Sequence, residues 1–333
     1  MSVAHIALHQ GEAVEKLKGV SLSFGAKLGL GLLGACLVAL AVSAAVLFSH
    51  HAREVDSIGK PGNPFVFWLS VSYKATPADL EQLSALLTQA ADMQVEVKRA
   101  PDEQAALLAA GNRSVDAWLL PLFDYEFCQQ EYGVRAVLQP IRVGGAQVYH
   151  GDILVRADSP VKTLADLTGK KVAFVDPFST SGFLYPARLL ADAGAKEVPV
   201  FAGSHPAALA ALTAGKVEAA ATFYDPAVPA DPSRRLLART QDIPNEPVFV
   251  RKDLAADVQK RFADALLRIT ASDAGRGLWS RIAGIEAFTP VTDAAYEAVH
   301  QEIDAAGKEL GALVPGGQAI YNDNRRPPMG MTP

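Results

Sequence analysis

Cysteine is scarce in this chain: Cys36 and Cys128 are the only two in 333 residues, and neither has metal-ligand spacing to a second ligand. A disulfide framework and a zinc site have no support in that pattern. A basic stripe is missing as well. Lys and Arg number 31 against 36 Asp and Glu, a formal net charge of -5, which argues against a nucleic-acid partner. No G-x-S-x-G elbow, H-E-x-x-H pair or carboxylate-rich metal motif occurs, so hydrolase and metalloenzyme chemistry finds no sequence footing. No metal and no cofactor is therefore expected. His50 and His51 are adjacent, but with no further ligands nearby they read as part of a membrane-edge linker.

What the chain does have is apolar length. Half of its residues are hydrophobic, enough for one large or two ordinary domains with substantial cores. From Leu28 to Phe48, "LGLGLLGACLVALAVSAAVLF" carries no charge and matches the thickness of a bilayer. Lys16, Lys18 and Lys27 precede this run and Arg53, Glu54 and Asp56 follow it. The upstream positive bias puts residues 1–27 in the cytoplasm and everything after Phe48 outside. A cleaved signal peptide is the rival reading, since "AVSA" offers small residues for cutting. "LGAC" at 33–36 is similar to a lipoprotein box, but the apolar run continues well past Cys36. An uncleaved anchor is the reading preferred here.

Residues 49–63, polar and carrying Gly and Pro, read as a tether. Strands and helices then alternate: "FVFWLSVS", a helix over 77–91, "QVEVKRA", the helix "DEQAALLAAG", "SVDAWLLP", and a helix around 123–132. The pattern restarts after "YHGDILVRADS". It continues through "KKVAFV", a helix after "STSG", "EVPVFAG", a helix at 206–214 and "VEAAATFYD". Helices over roughly 254–282 and 292–309 follow "IPNEPVFVRKDL", and the tail at 322–333 has no periodicity. Two α/β units with largely parallel sheets are predicted. Ligands in such folds bind at the carboxyl ends of strands, often between domains.

One strand-to-helix junction stands out. "DPFSTSGFLYP", residues 176–186, puts Ser179, Thr180, Ser181 and Gly182 where a helix begins. The first amides of a helix lack partners and its dipole is positive there. Hydroxyls add donors without full charge, and a glycine lets a ligand approach the backbone. On these four residues alone, a helix cap is the better reading, with an anion site second.

The segment "GDILVRADSPVKTLADLTGKKVAFVDPFSTSGFLYPARLL" resembles the periplasmic phosphate, phosphite and phosphonate binding proteins of ABC transporters. The resemblance extends to "VDAWLLPL", "AGSHPAALAALTAGKVEAAATFYD", "IPNEPVFVRKDL" and "AFTPVTDAAYEAV", covering roughly residues 64–310. It implies a two-lobed type II periplasmic-binding-protein fold with crossovers near 146–151 and 243–248, here preceded by one transmembrane helix. Lobe 1 would comprise 64–147 and 247–321, and lobe 2 would comprise 148–246. The same resemblance moves "STSG" from cap to anion site, although one hydroxyl can cap while others bind.

Further site residues come only through that resemblance. Tyr149 occupies the place of an aromatic lining the cleft at the first crossover, with hinge packing as its bland alternative. His205, in "GSH", matches a histidine near the anion and would otherwise be a helix cap. Asp225 in "FYDP" and Glu246 in "IPNEP" match acids facing the rest of the ligand. In isolation, both would be read as solvated surface. Where phosphonate binders of this group can place a tyrosine, this chain has Glu103 in "APDEQAALL", which either joins the cleft edge or points to solvent. Carboxylates opposite an anion site suit a zwitterion, and a singly protonated oxyanion fits nearly as well.

The function expected first is the extracytoplasmic binding component of an ABC importer for a phosphorus oxyanion, partnered by a permease and its ATPase. It would be held at the cytoplasmic membrane through residues 28–48. A membrane-tethered sensor of the same ligand comes second. An esterase using Ser179 or Ser181 with His205 and Asp225 comes last, since the hydroxyls are better explained as anion donors.

Overall fold

The computed structural model describes residues 57–177, 179–223, 231–305, 311, 314 and 316–320. The expected span at 28–48, most of the tether, Asp225 and the tail at 322–333 lie outside the described residues. Among the described residues, no helix is long and apolar enough to cross a membrane.

The alternating apolar positions of "FVFWL" build the first sheet. Strand β1 (Phe65–Leu69) sends Phe65, Phe67 and Leu69 to one face and Val66 and Trp68 to the other, as a two-residue period requires. It pairs in parallel with β2 (Val95–Arg99) and β3 (Ala117–Leu119). The sheet is completed by β4 (Arg135–Arg142), β12 (Val248–Val250) and β13 (Ile285–Pro290), in the order β13-β4-β12-β3-β1-β2. On one face pack α1 (Pro77–Ala91), α6 (Ala256–Ala271) and α7 (Asp273–Ala283), where Phe65 stacks on Phe262 at 4.5 Å. On the other face lie α2 (Glu103–Asn112), α3 (Leu122–Tyr132) and α8 (Glu297–Ala305), around a Trp118–Phe249 stack at 5.4 Å.

The second sheet has the order β10-β6-β9-β7-β8. Its strands are β6 (Gly151–Arg156), β7 (Lys171–Phe174), β8 (Val198–Phe201), β9 (Ala219–Phe223) and β10 (Arg234–Arg239). Strand β7 runs parallel to both β8 and β9, with Phe174 opposite Phe201. Helix α4 (Tyr185–Asp192) covers one face and α5 (His205–Thr213) the other. The buried alanines Ala219, Ala220 and Ala221 of β9 keep both layers close to the sheet.

Both sheets are mixed rather than largely parallel. Each has a parallel core built by strand–helix–strand crossovers, but β4, β6, β10, β12 and β13 form antiparallel pairs. The difference follows from connectivity. The chain passes from β4 to β6 through β5 (Val148–Tyr149) and returns from β10 to β12 through β11 (Ile243–Pro244), and the strand that each passage leads into, β6 or β12, runs opposite to the parallel core beside it. Strands β5 and β11 pair antiparallel, Tyr149 opposite Ile243.

Asn245, only 2% exposed, ties the two passages together. Its Nδ2 donates to the carbonyls of Pro140 (2.9 Å) and Ala146 (3.0 Å). Its own carbonyl accepts from Gln139 Nε2 at 3.3 Å and from the Tyr296 hydroxyl at 3.1 Å.

Two local features depart from the sequence reading. Residues 57–63 are a docked turn, with Ile58 buried in the first core and the Gln94 amide bonded to the Gly59 carbonyl at 2.7 Å. The helical stretch read over 254–282 is two helices. Ser272 adopts extended backbone and caps α7 by accepting from the Gly275 amide at 3.2 Å.

Candidate functional site

Strands β7, β8 and β9 are mutually parallel, so their carboxyl ends open on one edge of the second sheet. At that edge the chain leaves β7 and turns. Ser179 is extended, and its Oγ accepts from the Gly182 amide at 3.0 Å, a helix cap. Thr180–Leu184 then form a π-helical turn. The Leu184 amide donates to the Ser179 carbonyl at 3.0 Å, and the Tyr185 amide to the Thr180 carbonyl. Such wide turns occur often at functional sites. The amides of Thr180 and Ser181 stand in the first turn, where helix geometry supplies no acceptor.

The turn is clamped to its strand. The Val175 amide donates to the Gly182 carbonyl at 3.1 Å. A Cβ on Gly182 would lie 2.4 Å from Val175 Cγ2, so it is close packing within the protein that demands glycine here. Packing is thus a requirement for glycine in addition to the ligand approach expected from the sequence. On the other side the turn meets the first crossover, where a Cβ on Gly151 would lie 2.6 Å from the Ser181 carbonyl. Leu184 and Tyr185 are buried in the cluster of Trp118, Tyr296 and Val299, which belongs to the first sheet. The turn therefore sits where the two sheets meet. Thr180 is 7% exposed and Ser181 4%.

Tyr149 stands beside the turn. Burial and the Glu246 carboxylate raise its phenol above the usual tyrosine range, opposed by a hydrogen bond with Thr180. His205, the first residue of α5, is not the cap of that helix. Ser204 is, accepting from the Ala207 amide at 3.3 Å. The His205 Nδ1 lies 3.3 Å from the Phe223 amide and 3.0 Å from Thr222 Oγ1. Nδ1 thus accepts from the backbone, which leaves the proton of the neutral ring on Nε2. Burial pulls the imidazole below its usual range, against the opposing charge of Asp176 at the end of β7.

The acids divide into two groups. Glu103 opens α2, directly after its cap Asp102. Burial, then Asp176 and Asp102, raise its carboxyl. Glu103 from the first sheet and Asp176 from the second are therefore in electrostatic reach of one another. Asp124 on α3 is buried with Oδ2 unpartnered among the described residues, and burial followed by Glu103 raises its carboxyl well up. Glu246 is different. Its Oε1 accepts from the Tyr73 hydroxyl at 2.5 Å and from Arg142 Nη2. Asp225 lies outside the described residues, two positions beyond the end of β9.

Ser179, Thr180, Ser181, Gly182, Tyr149 and His205 thus gather at one edge, and Glu246 and Glu103 approach it from the crossover and the first sheet. Tyr73, Arg142, Asp124 and Asp176 escaped the sequence reading. Arg142 carried a usable signal, a charged residue ending an apolar strand just before a glycine-rich crossover. A hollow of ≈ 360 Å³ lies elsewhere, lined by Val71, Pro77, Leu80 and Arg99, and includes none of the expected ligand residues. Among the described residues, no group of three or more His, Cys, Asp or Glu is arranged to hold a metal ion.

Comparison with known proteins bears on the family and the fold. Residues 65–296 match the family described as ABC transporter, phosphonate, periplasmic substrate-binding protein. The chain is 34% identical over 199 residues to the phosphate-import protein PhnD of Mycolicibacterium smegmatis, an alignment covering 50% of this chain and 60% of that one. Among solved structures it is similar to PhnD1 from Prochlorococcus marinus in complex with methylphosphonate, with a TM-score of 0.58 at 16% identity. That match covers 74% of this chain and 100% of that one. XAC2383 from Xanthomonas citri bound to ATP gives a TM-score of 0.60 at 18% identity, over 79% and 100%. These structural likenesses support the mixed α/β fold of type II periplasmic binding proteins.

Proposed function

Because the chain belongs to the family of periplasmic substrate-binding proteins of phosphonate ABC transporters, we propose that it captures a phosphorus oxyanion outside the cytoplasm and delivers it to a permease driven by an ATPase. The observation that carries this reading is the π-helical turn at Thr180–Leu184, with its buried hydroxyls at the meeting of two sheets. In it the hydroxyls of Ser179, Thr180 and Ser181 and the amides of Thr180 and Ser181 surround the anion at the positive end of the turn and α4. Gly182 holds the turn against β7. The Nε2–H of His205 and the hydroxyl of Tyr149 add two donors. None of these donors needs a full charge, which suits an anion that must later be released. Glu103, Asp225 and Glu246 face the remainder of the ligand.

Residues 64–147 with 247–321 form lobe 1 and 148–246 lobe 2 in this proposal, and the paired crossovers β5 and β11 are the hinge about which they close on the ligand. Residues 28–48 anchor the chain in the cytoplasmic membrane. The relative from Mycolicibacterium smegmatis is named for phosphate import and the solved relative from Prochlorococcus marinus holds methylphosphonate, which favours this ligand class. The chain spans 60% of the length of that curated relative, and its transport role is our reading on that basis.

Substitution of the hydroxyls tests the proposal. Thr180→Ala and Ser181→Ala should each weaken binding of phosphate or methylphosphonate about ten- to a hundredfold, the loss of one hydrogen bond to a charged group. Ser179→Ala, which removes the cap, should lower stability by about 0.5–2 kcal/mol. Unchanged affinity in both Thr180→Ala and Ser181→Ala would refute the assignment.

A further inference from the structure

Glu246 approaches the ligand site already paired. One oxygen, Oε1, receives both the Tyr73 hydroxyl and the Arg142 guanidinium, and both side chains of the ion pair are largely buried, at 27% exposure for Arg142 and 15% for Glu246. Arg142 is held in place independently, because its Nη1 donates to the Ala283 carbonyl in the last turn of α7. Burial and Glu246 raise the Tyr73 phenol well above its usual range, so Tyr73 stays protonated and keeps donating. The pair is also close to the anion turn. Tyr149, hydrogen-bonded with Thr180, senses the charges of both Glu246 and Arg142.

A carboxylate in a cleft recognises an ammonium group only if its charge is not already compensated. Beside a fixed guanidinium, the attraction of Glu246 for a second cation is largely cancelled, because both charges lie at similar range in the same medium. We infer that Arg142 is a specificity-determining residue: by neutralising Glu246 it makes the hinge side of the cleft take phosphorus oxyanions without a cationic group. Inorganic phosphate, phosphite and plain alkylphosphonates fit such a surface, and an aminoalkylphosphonate gains nothing from it. This inference rests on the oxyanion-binding function proposed above. Tyr73 acts through Glu246 as a positioning residue, fixing the carboxylate toward the guanidinium.

The test compares 2-aminoethylphosphonate with propylphosphonate, its isostere without the ammonium group, alongside phosphate, by calorimetric titration of the full-length chain. The wild type should bind the two organic ligands within about threefold of one another, less than one charge-assisted contact contributes. Arg142→Gln frees the carboxylate and should shift the ratio at least about tenfold toward the amino compound. Glu246→Gln leaves the guanidinium uncompensated and should shift the ratio away from the amino compound, and the double variant Arg142→Gln with Glu246→Gln should restore the wild-type ratio. A merely structural role for Arg142 would lower all three affinities together, with the ratio constant, and would overturn the inference. So would a wild-type preference for the amino compound that Glu246→Gln abolishes, an arm that decides the matter even if Arg142→Gln does not fold. Failure of the wild type to bind any of the three ligands would instead overturn the oxyanion function itself, and the inference with it.

Discussion

Replacing Gly182 by alanine gives the sharpest test of how the anion turn is built. The new Cβ would stand 2.4 Å from Val175 Cγ2 and 2.7 Å from both Val175 Cβ and Ser179 Oγ. Carbon atoms prefer about 3.5–4.0 Å, so the turn must move away from β7 by on the order of 1 Å. That displacement stretches two contacts which define the turn, the bond from the Val175 amide to the Gly182 carbonyl and the cap from Ser179 to the Gly182 amide. Overpacking costs about 1–3 kcal/mol and a weakened cap about 0.5–2 kcal/mol. The better helix propensity of alanine returns about 1 kcal/mol at most. The melting temperature should therefore fall by several degrees, at roughly 2–4 °C per kcal/mol. Because the amides of Thr180 and Ser181 move with the turn, phosphate affinity should fall about tenfold or more. Circular-dichroism melts and calorimetric titration read both effects. The sign is diagnostic: in open space the substitution would stabilise, so an unchanged or raised melting temperature with intact affinity would refute the packing argument.

Two other expectations follow from buried charge and from the N-terminal sequence. Burial, then Glu297 and Asp293, push the Glu126 carboxyl up to about 8 from its usual 4.5, with His300 Nδ1 3.6 Å from Oε2. Its folded value exceeds its unfolded one, so the folded state holds the extra proton between about pH 4.5 and 8 and stability falls as pH rises through that window. Glu126→Gln should flatten this decline in denaturant titrations, and parallel curves for variant and wild type would show that Glu126 does not titrate there. The full-length chain should sediment with membranes, with external protease removing everything after Phe48. A soluble mature form beginning near Ala45 would identify a cleaved signal instead.

Short-range patterns were legible in the sequence, and long-range pairings were not. The alternation in "FVFWL" gave β1 and its two faces, since side-chain direction in a strand depends only on position. "STSG" after an apolar strand marked a capped helix start, because cap, strand and helix are all contiguous there. The break at Ser272 was also local and was overlooked, although "SDAG" carries a cap signal. The state of Glu246 was beyond sequence reasoning. Its partners Arg142 and Tyr73 lie 104 and 173 positions away and meet it only after both crossovers have formed. The antiparallel strands were hidden for the same reason, since direction is set by how the chain returns and not by the residues of the strand.

In the proposed function, the turn at Thr180–Leu184 holds a phosphorus oxyanion. Calorimetric titration of the detergent-solubilised full-length chain with phosphate, phosphite and methylphosphonate, with sulfate and acetate as controls, addresses it most directly. Saturable binding of at least one phosphorus oxyanion at one site per chain, lost in Thr180→Ala, is the predicted result. No heat with any of the three phosphorus ligands, or equal binding of the controls, would contradict it.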